Sequence, residues 1–236
     1  MHFESPLVPA RLERRYKRFL ADVTLTDGTA LTVHCPNTGS MMGVAPPGCR
    51  VWLLLHASPT RNYAYSWELT ELADGTLVGV NTHRSNALVA EAVKAGRFPV
   101  LAGYDAIIRE QKYGTEASRI DLLLRGSGRP DCYVEVKNVT AAVTDGIALF
   151  PDAVSERGTK HLREMIGIVA TGARAVLVFC VQRPDVTEVR PADVIDPVYG
   201  RTLRDAIAHG VEVVAWRADL STEGSTLTTT LPVVCP

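Results

Sequence analysis

A carboxylate and an ammonium stand two residues apart inside the otherwise apolar run CYVEVKNV, residues 132–139. On a β-strand, side chains two apart leave the same face, so Glu135 and Lys137 project together while Val134 and Val136 take the other side. Burying charge in such a run is costly unless the groups pair or serve a ligand. The run SRIDLLL, residues 118–124, comes just before it, and the intervening RGSGRPD is turn chemistry. A hairpin folded about Gly128 sets Asp121 opposite Glu135, each seven residues from the centre. Directly opposed side chains stand ~5 Å apart, and two like charges there repel. A divalent cation between them removes the repulsion. Mg²⁺ (or Mn²⁺) suits one or two carboxylates completed by water and phosphate oxygens. Asp121 and Glu135 are therefore candidate metal ligands. Asp131 does not join them: it lies on Glu135's own strand, ~13 Å away, and reads as a turn residue. The competing reading of Glu135 and Lys137 is an ion pair on a solvated edge strand.

The rest of the chain divides in two. Before about residue 80, short β-like runs (RFLADVTL, LTVHC, VWLLLHA, YSWELTEL, TLVGV) alternate with Asp-Gly and Pro-Gly turns, which predicts a small OB-like barrel, with an SH3-like barrel as the alternative. From residue 82 the pattern changes. A helix is predicted over 82–95, capped by Asn81 or Thr82, with Leu88, Ala92 and Ala95 on one face and Gly96 ending it. A β-like segment near 104–112, the two hairpin strands, a helix over 155–170, the strand AVLVFCV, a helix near 200–209 and the strand VEVVAW follow. That order gives a mixed α/β sheet with helices on its faces. The expected domains are thus 1–80, a nucleic-acid-binding barrel, and 81–236, an α/β domain.

Supporting residues each carry a bland alternative. Glu91, on the first helix, is a further candidate metal ligand or a surface partner of Lys94. Glu110 either lines the same pocket as Asp121 or is an exposed strand charge. In ERGTKHLREM, Arg157, Lys160, His161 and Glu164 fall on one helical face. Arg157 and Lys160 are candidates for gripping phosphates, and His161 for a catalytic contact to a substrate oxygen or metal-bound water; a solvated face is the alternative. Near the N-terminus Arg14, Arg15, Lys17 and Arg18 interleave with Tyr16 and Phe19, cations for a phosphate backbone and rings for bases. On an extended strand Arg14, Tyr16 and Arg18 would share one face. The alternative is a soluble basic strand with core aromatics. Asn37, Thr38 and Ser40 of HCPNTGSMMG are either ligand donors or loop residues.

The net charge of −1 excludes a protein that coats nucleic acid over its whole surface, so contact must be local. No apolar run approaches the ~18 residues of a membrane span, and MHFESPLVPARLERRYKRF lacks the order of a secretory signal. Cys35, Cys49, Cys132, Cys180 and Cys235 are scattered, odd in number and without a CxxC pair. A cytoplasmic protein is expected.

The acidic residue on one strand followed by E-x-K on the next resembles the PD-(D/E)xK nucleases, although Ile120 stands where their leading proline would. Almost the whole chain resembles the sugar fermentation stimulation protein A (SfsA) family, through RYKRFLADV, HCPNTGSMMG, YGTEASRIDLLL, YVEVKNVT, FPDAVSERGTKHLREM and the closing LPVV. The resemblance implies an OB-type barrel joined to a PD-(D/E)xK nuclease-like α/β domain, DNA as a sequence-independent partner, and a regulatory role in sugar (maltose) utilisation. It also implies metal ligation by Asp121 and Glu135, with Lys137 orienting the attacking water. A DNA-binding regulator with a vestigial nuclease core is the alternative function. A sugar-metabolising enzyme finds no paired-carboxylate or nucleotide-fold signal elsewhere in the chain.

Overall fold

The computed structural model describes residues 1–58, 60–115, 118–144 and 146–236. Glu116 and Ala117, inside the stretch YGTEASRIDLLL, lie outside the described residues.

Six strands form the first half: β1 (Val8–Tyr16), β2 (Leu20–Leu25), β3 (Ala30–His34), β4 (Arg50–Leu55), β5 (Tyr65–Glu71) and β6 (Leu77–Gly79). They pair in the order β3-β2-β1-β4-β5-β6. A parallel contact of His34 with Ser66 joins β3 to β5 and closes the first five strands into an OB barrel. Alternation along each strand sends Leu12, Val23, Val33, Val51, Leu53 and Trp67 into one core. The basic segment is not one continuous strand. β1 stops at Tyr16, and Lys17 and Arg18 take left-handed backbone (φ 50° and 66°) in the turn to β2. The expectation that Arg14, Tyr16 and Arg18 share a face therefore fails, because a reversing chain has no period-two faces.

The second half holds α1 (His83–Lys94), β7 (Ala106–Tyr113), β8 (Ser118–Arg125), β9 (Cys132–Val139), β10 (Ala142–Thr144), β11 (Gly146–Phe150), α2 (Glu156–Ala170), β12 (Arg174–Val181), β13 (Val186–Pro191), α3 (Pro197–Ala208), β14 (Glu212–Leu220) and β15 (Ser225–Leu231). A six-stranded mixed sheet runs β15-β14-β12-β9-β8-β7, with β12 parallel to both β9 and β14. α1 covers one face through Leu88, Val89 and Val93 against Leu122, Val134, Val136 and Trp216. α2 and α3 cover the other, setting Leu162, Met165, Tyr199 and Leu203 against Leu177 and Phe179. Ala95, just past the end of α1, is exposed rather than core, and the helix turns Val89 and Val93 inward instead. Ser155 caps α2 by accepting the Gly158 N–H at 3.1 Å, and Asp196 caps α3 through Tyr199 N–H at 2.9 Å. The small β10-β11-β13 sheet was not foreseen; its strands are short and lack a clear alternation.

The two halves meet closely. Asp152 accepts from Met41 N–H at 3.0 Å and Ser40 Oγ at 3.3 Å, and Gly79 N–H donates to Gln182 O at 2.8 Å. No helix among the described residues is long and apolar enough to cross a membrane.

Candidate metal and nucleic-acid site

The β8–β9 hairpin keeps Gly128 as its centre: Leu122, Leu123 and Leu124 face Val134, Tyr133 and Cys132. One position further on the ladder ends, at Asp121 and Glu135. Asp121 Oδ2 accepts the Val136 N–H at 2.7 Å, and Asn86 Nδ2, from the first turn of α1, donates to Oδ1 at 2.7 Å. Glu135 is almost fully buried at 2 % exposure. Its Oε1 takes Lys137 Nζ at 2.6 Å and also His161 Nδ1 from α2. Arg157 Nε donates to His161 Nε2 at 3.4 Å, so a ring protonated on Nδ1 satisfies both contacts. His161 thus faces Glu135, buried, rather than open space.

One polar atom of the cluster has no partner. Glu135 Oε2 is buried and accepts nothing, an expensive state for half a carboxylate. Burial, followed by the nearby charge of Glu135, pushes the Asp121 carboxyl up to about 6. At Glu135 burial also works against ionisation, but Lys137 and His161 outweigh it and hold the carboxyl below its usual range. Tyr113, buried close by, stays protonated through burial and the charges of Glu135, Glu164 and Asp121. Among the described residues no three His, Cys, Asp or Glu side chains converge as a complete ligand set. Mg²⁺ does not need one, since it keeps water and phosphate oxygens in most of its positions. A hard cation fits the donors present: two neighbouring carboxylates, one with an orphaned oxygen.

Lys137 and Asn86, each bonded to one carboxylate, reach the wall of a cleft of about 520 Å³ between the two halves. Arg15, Arg18, Thr38, Ser40 and Asp152 line its other sides. Arg15 is largely a staple. Its guanidinium donates to the carbonyls of Arg18 (2.7 Å), Asn37 (2.8 Å) and Gly39 (2.8 Å), which fixes the HCPNTGSMMG loop. Arg14 pairs with Asp22 at 2.8 Å, and Tyr16 Oη donates to the same carboxylate at 3.0 Å. Lys17 and Arg18 stand exposed at the turn.

The remaining candidates scatter. Glu91 pairs with the N-terminal ammonium at 3.1 Å, away from the face that offers Asn86 to Asp121. Glu110, exposed and at φ 53°, interrupts β7 between Arg109 and Gln111, whose partners Leu122 and Ile120 flank Asp121. It is thus Asp121's neighbour across the sheet, with its carboxylate in solvent. On α2, Arg157 is exposed and Lys160 half-buried. Glu164 is buried and accepts Thr115 N–H at 3.0 Å, so that end of the helical face is structural. Asn86 and Asp152 were missed. Each acts through a contact to a residue far along the chain, which no local pattern announces.

Two family models match end to end: the SfsA N-terminal OB domain over residues 14–80, and the sugar fermentation stimulation protein RE domain over residues 83–224. The chain belongs to the SfsA family. A sugar fermentation stimulation protein homolog from Alkalilimnicola ehrlichii is 57 % identical over 238 residues, covering all of both chains. One from Teredinibacter turnerae is 57 % identical over 234 residues, 99 % of this chain and 100 % of its own. Among solved structures, Pyrococcus furiosus SfsA in complex with Ca²⁺ superposes with a TM-score of 0.89 at 28 % identity, over 99 % of this chain and 98 % of that one. The SfsA likeness thus spans barrel and α/β domain together.

Proposed function

We propose that the chain binds DNA without regard to sequence and hydrolyses phosphodiester bonds with the help of Mg²⁺ or Mn²⁺. One observation carries this reading: a buried, unpartnered Glu135 Oε2 beside Asp121, whose own charge is disfavoured. A pair of acceptors in that state is short of a cation. Asp121 and Glu135 would hold the ion, which when bound lowers the pKa of its water and offsets charge developing on the phosphate. Asn86 fixes Asp121, and His161 and Lys137 fix Glu135. Lys137 also presents positive charge to the cleft where the phosphate would lie. Arg18 on the barrel side and Arg157 on α2 supply further cations for the strand. The Ca²⁺ of the Pyrococcus furiosus relative is a hard, oxygen-seeking ion of the class this donor set suits.

The relatives' name speaks of stimulating sugar fermentation, and a second reading consistent with it is a DNA-binding regulator of sugar (maltose) metabolism in the cytosol that cleaves nothing. Labelled single- and double-stranded DNA incubated with Mg²⁺ or Mn²⁺ separates the two. The nuclease reading expects metal-dependent cleavage that Asp121→Ala and Glu135→Ala abolish while binding persists. Binding with no turnover in either metal overturns it in favour of the regulator.

A further inference from the structure

On the far side of α1 from the Asp121 cluster lies a second cavity, of about 670 Å³. The end of β3 gives it His34, the end of β4 His56, the β4–β5 loop Arg61 and Tyr63, and α1 His83 and Arg84. Phe19, from the β1–β2 turn, stands 45 % exposed at its edge.

The acids facing this cavity are Glu4 and Glu68. Glu68 is 1 % exposed and fully engaged: Arg84 Nε donates at 2.5 Å, Asn81 Nδ2 at 2.9 and 3.0 Å, and Ser66 Oγ at 2.6 Å. Because Ser66 gives its proton to Glu68, its oxygen accepts from His56 Nε2 at 2.7 Å. That relay fixes the His56 ring. Burial, and then the charges of His83, Arg61 and His56, disfavour a proton on His34, and burial does the same at His56. Arg61 enters no ion pair among the described residues, and with Glu68 already held by Arg84 the other acid at the cavity is Glu4, so Arg61 and the imidazole N–H groups leave room for a further counter-charge. A doubly charged anion would supply it, and the two rings offer a flat partner beside it.

We propose that this cavity binds a phosphate monoester attached to an aromatic base, at a site separate from the metal cluster and independent of any cleavage. The phosphate would meet Arg61, His34 and His56, and the base would stack at Phe19 or Tyr63. Such a ligand has two sources, a free nucleotide or the 5′-phosphorylated end of a strand. Two observations separate this site from general DNA attraction. It is a pocket rather than a stripe. Its charge comes from Arg61, set among the His34 and His56 imidazoles that a terminal dianion would help to protonate more than a diester monoanion would.

Calorimetric titration of the full chain with inorganic phosphate, AMP, and a tetranucleotide with or without a 5′-phosphate tests the proposal. Saturable binding of AMP is expected, with phosphate weaker. Arg61→Ala and His34→Ala should each weaken AMP by about tenfold, the scale of one lost charged contact. Both positions lie at the rim, and circular dichroism checks that the variants fold. If the 5′-phosphorylated tetranucleotide matches AMP while its hydroxyl counterpart does not, the ligand is a strand end. If AMP alone binds, the ligand is a free nucleotide. No saturable AMP or 5′-phosphate binding, or binding that neither substitution weakens, overturns the proposal.

Discussion

Glu135 in the β8–β9 hairpin and Arg15 at the barrel rim are both charged groups drawn inward, yet their partners differ in kind. Glu135 is met by side chains that themselves carry protons and charge, Lys137 and His161, and keeps one oxygen bare. Arg15 is met by backbone carbonyls, those of Arg18 in the turn beside it and of Asn37 and Gly39 in the segment after β3, so the outer end of its guanidinium is spent and only Nε is left without a partner. The first arrangement leaves capacity for a ligand, and the second spends a cation on holding the chain in shape. A basic residue near a cleft is thus weak evidence of nucleic-acid contact until its hydrogen bonds are counted. A buried acid with an orphaned oxygen is stronger evidence of a missing cation.

The largest effect separating the two sites is expected at Glu135. Glu135→Ala empties a buried position and leaves Lys137, half-buried at the cleft wall, without its partner. Because Lys137 can turn to solvent, the cost should fall below the buried-pair range, at about 2–3 kcal/mol. Urea unfolding should show that loss, and titration with Mn²⁺ should show binding abolished. Arg15→Ala removes a guanidinium whose Nη2 is shared among three carbonyls and should cost about 2–3 kcal/mol, with faster amide hydrogen exchange confined to residues 37–41. Metal binding should survive it. If Arg15→Ala also eliminated the Mn²⁺ site, the division between staple and site would collapse.

The difference also explains what the sequence made legible. The hairpin was readable because β-geometry is periodic: one turn about Gly128 and a period of two bring Asp121 towards Glu135, and the structure keeps that register. The barrel followed from Asp-Gly and Pro-Gly punctuation, with Gly28, Gly48 and Gly75 all at positive φ in their turns. The fate of the basic cluster was not readable. Whether Arg15 meets a phosphate or the Asn37 carbonyl depends on a loop about twenty residues on, closed by the domain-crossing Asp152. Likewise Asn86 joins the site only because α1 lies across the sheet, and Glu91, on another face of α1, meets the N-terminal ammonium instead.

Asp121→Asn sharpens the contrast by swapping charge for an isosteric amide. The Asp121 pKa of about 6 lies above the ordinary 3.8, so its protonated form is the one the fold prefers. Stability from this group is therefore full below pH ~4 and lost as pH rises through ~6. Glu135, with a lowered pKa, acts in the opposite direction, adding stability above its ordinary 4.5 that acid removes. Without metal, Asp121→Asn, with the Asn86 amide turned so that its oxygen accepts from the new Nδ2, should gain about 1–2 kcal/mol at neutral pH, an advantage that disappears by pH 4.5. Saturating Mn²⁺ should reverse the order, because only the wild type then gains binding energy. Melting curves at pH 4.5 and 7.5, with and without Mn²⁺, decide this. A pH-independent difference between the two proteins would mean that Asp121 carries no strained charge.

The smallest effect concerns the barrel cations, and it is one of slope rather than stability. Arg14, Lys17 and Arg18 are exposed, and Arg14 already shares Asp22 with Tyr16, so none supports the core. Each cation that contacts a phosphate should contribute about 0.7–0.9 to the slope of log affinity against log salt. Arg18, which lines the cleft opposite Lys137, should lose about that much on mutation to alanine. Arg14→Ala should lose less, because its charge is offset by Asp22 before any DNA arrives. Fluorescence anisotropy across a salt series reads both. Equal slopes for the two variants would show that DNA attraction follows the barrel's general charge, not the cleft, and would separate binding from the site around Glu135.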